Sequence, residues 1–415
     1  MFALFVLILS STAAMRQSPP PSLLPPAVFY VSPDGGPSGD GSAERPLDLV
    51  TALSNRTLAR AGDLLILRGG TYRGQLTSTL TGLENKPITL THSPGERARI
   101  DGSLTVQGAW AVYRDFEVMN SGQDRTKERP TGVNIFGPHT KFINLIVHDA
   151  GNGMAFWSPA VDGEIYGCII YRNGWQGPDP ARGSGHAIYS QNETGTKRIV
   201  DNILFNQFGW GIHAYTQEGS LSGFHFEGNV AFNNGSATRQ GYRYDNILVG
   251  GYRPAERITL ISNYTYHTPG KGGKNRLGYT SANKDATVKD NYFAGGNPVL
   301  GLLGWEKATI TGNTLYGSQN LLGIVGPKGM AELPYEVDNN TYLEGEVAAP
   351  FVFQNKNFDF AGWQQATGFD KHSRWIPSPT KRPSGVKVFI RPNQYEPGRA
   401  HIIVFNWDLS DTVAA

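Results

Sequence analysis

Along most of this chain, apolar and polar residues alternate in short runs, and each run stops at Gly, Asn, Asp or Pro. A period of two predicts strands whose successive side chains face opposite ways. The runs recur. Segments such as NILFNQFG, NVAFNNG and NYTYHTPG begin at Asn144, Cys168, Asn202, Asn229, Asn263, Asn291, Asn313 and Asn340, spaced 22 to 34 residues apart. Each has a polar head, a short strand with large apolar side chains and a Gly turn. A second strand, as in GVNIFGPH, GMAFWSPA, GHAIYSQN and GIHAYTQE, lies between successive heads. Helical spacing is confined to 47–60, where Leu47, Val50, Leu53 and Leu58 recur.

At least two strands per unit, repeated at this length, predict a parallel β-solenoid whose coils stack about 4.8 Å apart. Like residues then lie over like residues, and the asparagines form a ladder that bonds the backbone of neighbouring coils. Cys168 fills one rung. The open end of such a stack needs a cap, and the 47–60 helix is placed to supply it.

The segments VFYVSPDGG (28–36), ERPLDLVTAL (44–53) and AGDLLILRGGTYRG (61–74) resemble the opening of right-handed parallel β-helix proteins of the pectate lyase superfamily. ITLTHSPGERARIDG (88–102) continues the likeness, and the Asn-headed units extend it to about residue 345. The resemblance implies an all-β fold: a right-handed parallel β-helix over 28–345 with an N-terminal helical cap. It leaves the chemistry open, because this fold carries lyases, hydrolases, epimerases and adhesins.

Composition fits. Glycine is 51 of 415 residues, charged residues are 17% and hydrophobic ones 39%, which argues against coiled coils, membrane bundles and disorder. A net charge of +2 gives no global field for nucleic acid. One cysteine excludes an internal disulfide framework. The apolar run 2–9 ahead of small residues reads as a signal peptide over 1–14, although no Lys or Arg precedes it. Export to a secreted, periplasmic or cell-surface location is expected, with no integral membrane segment after signal removal. Residues 15–27 form a Pro-rich linker. Segment 346–382 is expected to cap the last coils. Residues 383–415 read as the start of a small, truncated β-domain.

Aligning the second strands puts Ile135, Phe156, Ile188, Ala214 and Leu248 inward. Asn134, Ala155, Ala187, His213 and Ile247 then face outward, followed by Phe136, Trp157, Tyr189, Tyr215 and Val249, then by Pro138, Pro159, Gln191, Gln217 and Gly251. An outward aromatic row beside amides suits sugar rings. Trp157, Tyr189, Gln191, Gln217 and Trp210 are therefore candidate substrate contacts. Three longer loops, 175–185, 235–245 and 267–278, precede these strands and carry Arg182, Arg239, Arg243, Lys271, Lys274 and Arg276 against Asp179 and Asp245. A local excess of cations favours an acidic polysaccharide.

Cleavage of a uronate glycan by β-elimination needs a base, a carboxylate neutraliser and an acid. The candidates are His213 or Lys271, Arg243 or Arg276, and Tyr215. The leading expectation is a polysaccharide lyase, expected as a monomer. The alternatives are a non-catalytic carbohydrate-binding or cell-surface solenoid, and a glycoside hydrolase or uronate epimerase. Hydrolysis usually needs two carboxyl groups, and no tight pair is evident. No zinc motif is present. The resemblance allows calcium, which lyases of the superfamily often use. No carboxylate cluster marks such a site, although Asp179, Glu193 and Glu218 are placed to converge.

Overall fold

The computed structural model describes residues 25–54, 58–178, 182–241, 243–268, 273–279, 282–327 and 333–414. The chain winds through three parallel sheets in turn. The first has twelve strands, from Val28–Val31 to Tyr335–Asp338, so the stack is about 50 Å long at the usual strand spacing. The second runs from Gly70–Ser78 through Ile146–His148 and Ile203–Phe205 to Arg374–Ile376. The third runs from Val133–Ile135 through Ile188–Ser190, Ile212–Ala214 and Ile247–Val249 to Phe351–Phe353. In the early coils one strand, such as Ala98–Val106, serves both the second and the third sheet. It bends at Gly102 (φ 153), where a Cβ would lie 1.9 Å from the carbonyl oxygen of Gly74 in the coil before.

The core is the tube interior. In the second sheet Val118, Val147, Ile170, Leu204, Ala231, Phe293 and Leu315 point inward and are fully buried. Burying each of the larger ones stabilises by about 1.5–3 kcal/mol. The N-terminal helix α1 covers Leu49–Ser54, shorter than the 47–60 expected, with Leu49, Ala52 and Leu53 buried. Residues 55–57 lie outside the described set. At the far end helix α2 (Phe360–Thr367) seats Trp363 against Phe351 and Phe353.

The asparagine ladder runs along the edge between the first and second sheets. Asn229 Nδ2 donates to Ile199 O in the preceding coil (2.8 Å) and to Asn263 Oδ1 in the next (3.0 Å). Asn263 Oδ1 also accepts the Asn229 backbone N–H at 3.1 Å. The pattern repeats through Asn202, Asn291, Asn313 and Asn340. It ends at the buried Asp370, which also accepts from Tyr342 and the Trp363 indole at 2.8 Å each. Cys168 begins the ladder, its backbone N–H bonded to Asn202 Oδ1 at 2.9 Å. Burial pushes its thiol pKa up to about 12. Asn144 is not a rung, contrary to the repeat alignment. Ile146 pairs with Ile169, so Leu145 stands over Cys168, and the Asn144 side chain turns outward to Asn393 and Glu396.

Segments Val386–Pro392 and Ala400–Asn406 form an antiparallel hairpin. It lies on the outside of the second sheet, where Phe389, Ile403, Phe405 and Trp407 pack with Tyr264, Tyr292 and Tyr316. Arg391 pins it through Asp201 (2.7 Å) and Glu227 (3.0 Å). The second sheet's outer face is thus partly covered by protein, whereas the third carries the long loops along its edge.

Candidate functional site

Backbone pairing of the third sheet sets one outward column as Asn134, Ala155, Tyr189, His213, Leu248 and Arg276. The next outward positions include Phe136, Trp157, Gln191 and Tyr215. This corrects the sequence alignment twice. Ile188 pairs with Met154 rather than Phe156, a slip of two that keeps Tyr189 outward but sets it beside His213. Ile247 pairs with Ile212, a slip of one, so Ile247 and Val249 point inward and Leu248 outward. Three consecutive apolar residues gave no alternation from which to fix that register. Leu248 is nonetheless buried, because it floors a cavity beneath the loops.

An aromatic row follows these columns along the stack. Phe136 stacks on Trp157 at 6.0 Å, and Trp157 meets Tyr189 at 5.4 Å. Tyr189 meets His213 at 5.7 Å, and Tyr215 meets Tyr279 at 5.5 Å. The row spans six strands, about 24 Å. Gln191 Nε2 donates to the Tyr189 hydroxyl at 3.0 Å. Gln217 is exposed beyond the strand end and does not line the cavity, contrary to expectation. Beneath the row, Lys197 is fully buried and donates to the carbonyls of Phe156, Trp157 and Gln191 (2.9, 2.5 and 2.6 Å). Its ammonium lies 4.2 Å from the Phe156 ring centroid. This clamp fixes the backbone that presents Trp157 and Gln191, and nothing in its sequence context marks it.

The row ends in a cavity of about 790 Å³ lined by His213, Tyr215, Trp210, Arg182, Arg243, Lys274, Arg276 and Asp245, among others. The loop edge supplies the cations, because the turns from the second to the third sheet carry the insertions. Asp245 is buried and accepts from Arg276 Nε at 2.8 Å and Nη2 at 2.5 Å. Burial raises the Asp245 pKa and the arginine opposes that rise. Lys274 is half-buried and its amine has no hydrogen-bond partner among the described residues. Burial, then repulsion from Arg276, holds its pKa below the ordinary lysine value, with Asp245 opposing. Tyr215 has its pKa raised by burial and by Tyr252 and Tyr279.

His213 is stacked between Trp210 (4.6 Å) and Tyr215 (4.9 Å). Burial, then His186 and Arg276, push its pKa well down, so it is neutral. Its Nδ1 meets His186 Nε2 at 3.2 Å, while His186 Nδ1 is buried without a partner. Leaving a lone pair unmet there is less costly than stranding an N–H, so the proton belongs on His186 Nε2. His213 then carries its own proton on Nε2. It is a donor in this tautomer, which weakens it as a base.

Of the expected site residues, the structure gathers His213, Tyr215, Arg243, Trp210 and Arg276 at one cavity and sets Trp157, Tyr189 and Gln191 along its approach. Lys271 and Asp179 lie outside the described residues. Glu193 and Glu218 are exposed and do not line the cavity. Sequence reasoning placed Lys274 and Arg182 in the loops without singling them out. It missed Tyr252 and Tyr279, whose rings meet at 5.6 Å. Only the coil register brings these residues together.

Three parallel sheets, a buried amide ladder and a loop-lined outer face define a parallel β-helix protein. Residues 29–249, more than half of the chain, match the family described as Pel9A-like, right handed beta helix region, and the chain belongs to that family. Among curated proteins it is 22% identical over 223 residues to pectate lyase L of Thermoclostridium stercorarium, covering 51% of this chain and 18% of that protein. It is 34% identical over 74 residues to the uncharacterized protein YwoF of Bacillus subtilis, covering 18% of this chain and 15% of that one. The chain thus matches less than a fifth of the length of either relative. Among solved structures, the alginate lyase from Paenibacillus sp. str. FPU-7 aligns with a TM-score of 0.50 and 18% identity, covering 72% of this chain and 99% of that one. Pectate lyase Pel9A aligns with a TM-score of 0.46 and 16% identity, covering 87% and 79%. These likenesses concern the fold. No helix among the described residues is long and apolar enough to cross a membrane.

Proposed function

We propose that the protein is an exported polysaccharide lyase that cleaves a uronate-containing glycan by β-elimination in the cavity at the end of the aromatic row. The observation that carries this is Lys274, an amine of lowered proton affinity with no hydrogen-bond partner among the described residues, which lines the same cavity as Tyr215 and three arginines. The relatives named pectate lyase and alginate lyase are consistent with it. In the proposed reaction the free amine of Lys274 takes the proton from C5 of the uronate. The electrons left behind form the C4–C5 double bond as the C4–O bond breaks. Tyr215 gives its proton to the departing oxygen, and water then restores both groups. Guanidinium charge stabilises the carboxylate while negative charge spreads onto it. His213, as a neutral donor, hydrogen-bonds the sugar. The aromatic row and Gln191 hold the neighbouring rings.

Hydrolysis is less well supported. Among the described residues Asp245 is the one carboxylate lining the cavity, and it is tied to Arg276, whereas most glycosidases use a pair. Mixing the protein with alginate, pectate and glycosaminoglycans and following the ultraviolet absorbance of the unsaturated uronate tests the proposal. A rise with one of them is expected. Binding without any rise would favour a purely carbohydrate-binding solenoid. Export rests on the apolar run 2–9, outside the described residues, and is tested by the N-terminus of protein recovered from the culture medium or periplasm.

A further inference from the structure

Calcium, which the superfamily resemblance allows, needs several oxygen ligands about one point. No group of three His, Cys, Asp or Glu side chains converges among the described residues. In the cavity the lining carboxylate is Asp245, and Arg276 occupies it. Four cationic side chains, Arg182, Arg243, Lys274 and Arg276, surround the same space and would repel a divalent ion. The donor set of the described residues does not fit calcium.

We propose that this pocket receives the uronate carboxylate on the Arg276 guanidinium, with Asp245 as its positioning residue, in place of a bound divalent cation. The proposal rests on the lyase reading above and concerns the same site. Arg276 stands in the outward column two positions from His213, on the far side of Leu248. Two of its five N–H groups are spent on one oxygen of Asp245, and three remain. Its plane is set by that contact and by the Tyr279 ring, 5.7 Å away. The side chain keeps 28% of its surface accessible, against 6% for Asp245, so the ion pair is anchored from below and open above. A guanidinium also keeps its charge wherever a nearby lysine must be neutral to act as base. One cation can then lose its proton while the other still neutralises the substrate. A planar fork matches a carboxylate in a way that a compact ammonium does not.

The test compares the full chain after exhaustive chelation with the same protein given calcium, on the glycan that it cleaves. Calorimetry measures binding of a short oligouronate under both conditions. Chelation is expected to change rate and affinity less than about twofold. Arg276→Ala is expected to lower kcat/KM about 100-fold or more, with calcium giving no recovery. Arg276→Lys should recover only part of that, because it restores charge without the fork. Asp245→Asn, with an unchanged circular dichroism spectrum, is expected to lower kcat more than it raises KM, which a general loosening of the fold would not do. If chelation abolishes binding and cleavage and calcium restores both, the proposal is overturned and the lyase reading stands. Binding that survives chelation and is lost in Arg276→Ala, with no cleavage under any condition, supports the carboxylate site and overturns the lyase reading. Neither binding nor cleavage under any condition overturns both.

Discussion

Along the edge between the first and second sheets, the amides from Asn202 to Asn340 bond from coil to coil, and none of their side chains is left buried without a partner. Along the edge between the second and third sheets the backbone is interrupted by long loops, and unmatched groups collect there. Among the described residues they include His186 Nδ1, the Trp210 indole, Asn234 Oδ1, Arg243 Nε and Asn275 Oδ1. The same winding chain therefore has one edge whose ladder amides are all paired and another where amide pairing, as between Asn173 and Gln207 and between Asn234 and Asn246, leaves some buried groups unmet. Buried groups without partners cost stability and call for an explanation. Of the residues that carry them, Trp210 and Arg243 line the cavity.

The largest effects should fall on the loop edge and on activity alone. Lys274→Ala and Tyr215→Phe should each lower kcat by about 10²–10⁴-fold while thermal unfolding stays within a few degrees of the parent. A comparable fall in unfolding temperature would make Lys274 a structural residue and erase the contrast. The opposite signature is expected on the ladder. Asn263→Ala removes the acceptor of the Asn229 backbone N–H and of one of its two side-chain N–H groups, and the side-chain donor to Phe226 O. Denaturant unfolding should show a loss of about 2–4 kcal/mol, with kcat per folded molecule unchanged.

The pH profile sharpens the same contrast. Lys274 acts as a base only after losing its proton, so kcat/KM should rise with pH. Its lowered pKa puts that limb below the ordinary lysine value of about 10.4. The raised pKa of Tyr215 keeps the acid protonated past the ordinary tyrosine value of about 10. Activity should therefore plateau on the alkaline side and decline only above it. A limb with its midpoint near the ordinary histidine value, about 6.5, would return the role of base to His213. The smallest effect is expected at the far end of the row. Trp157→Ala should raise KM about two- to tenfold with kcat nearly unchanged, in keeping with a loss of aromatic contact. A fall in kcat there would mean that the reacting centre extends beyond the cavity.

The solenoid and its ladder were legible because stacking repeats one environment in every coil, so one residue type recurs at one place. Asn202, Asn229 and Asn263 announce themselves by that recurrence. The loop edge is legible only in outline. The three insertions and their cations stand out, but what faces what depends on the register. A slip of one residue at Ile247 turns Leu248 from a core residue into the cavity floor. Asn144 misled for a related reason, since it lies one residue before the ladder column and its side chain serves the hairpin. Lys197 shows a third limit. Its partners are backbone carbonyls of two other strand ends, and carbonyls leave no mark on a sequence.

The claim that the loop edge houses a lyase centre built on Lys274 is tested most directly by the product ends formed from a uronate glycan by the parent and by Lys274→Ala. Mass spectrometry should find unsaturated ends, each one water lighter than a hydrolytic end, with the parent protein and none with the variant. Saturated ends with the parent, or the same unsaturated products at the same rate with the variant, would contradict it.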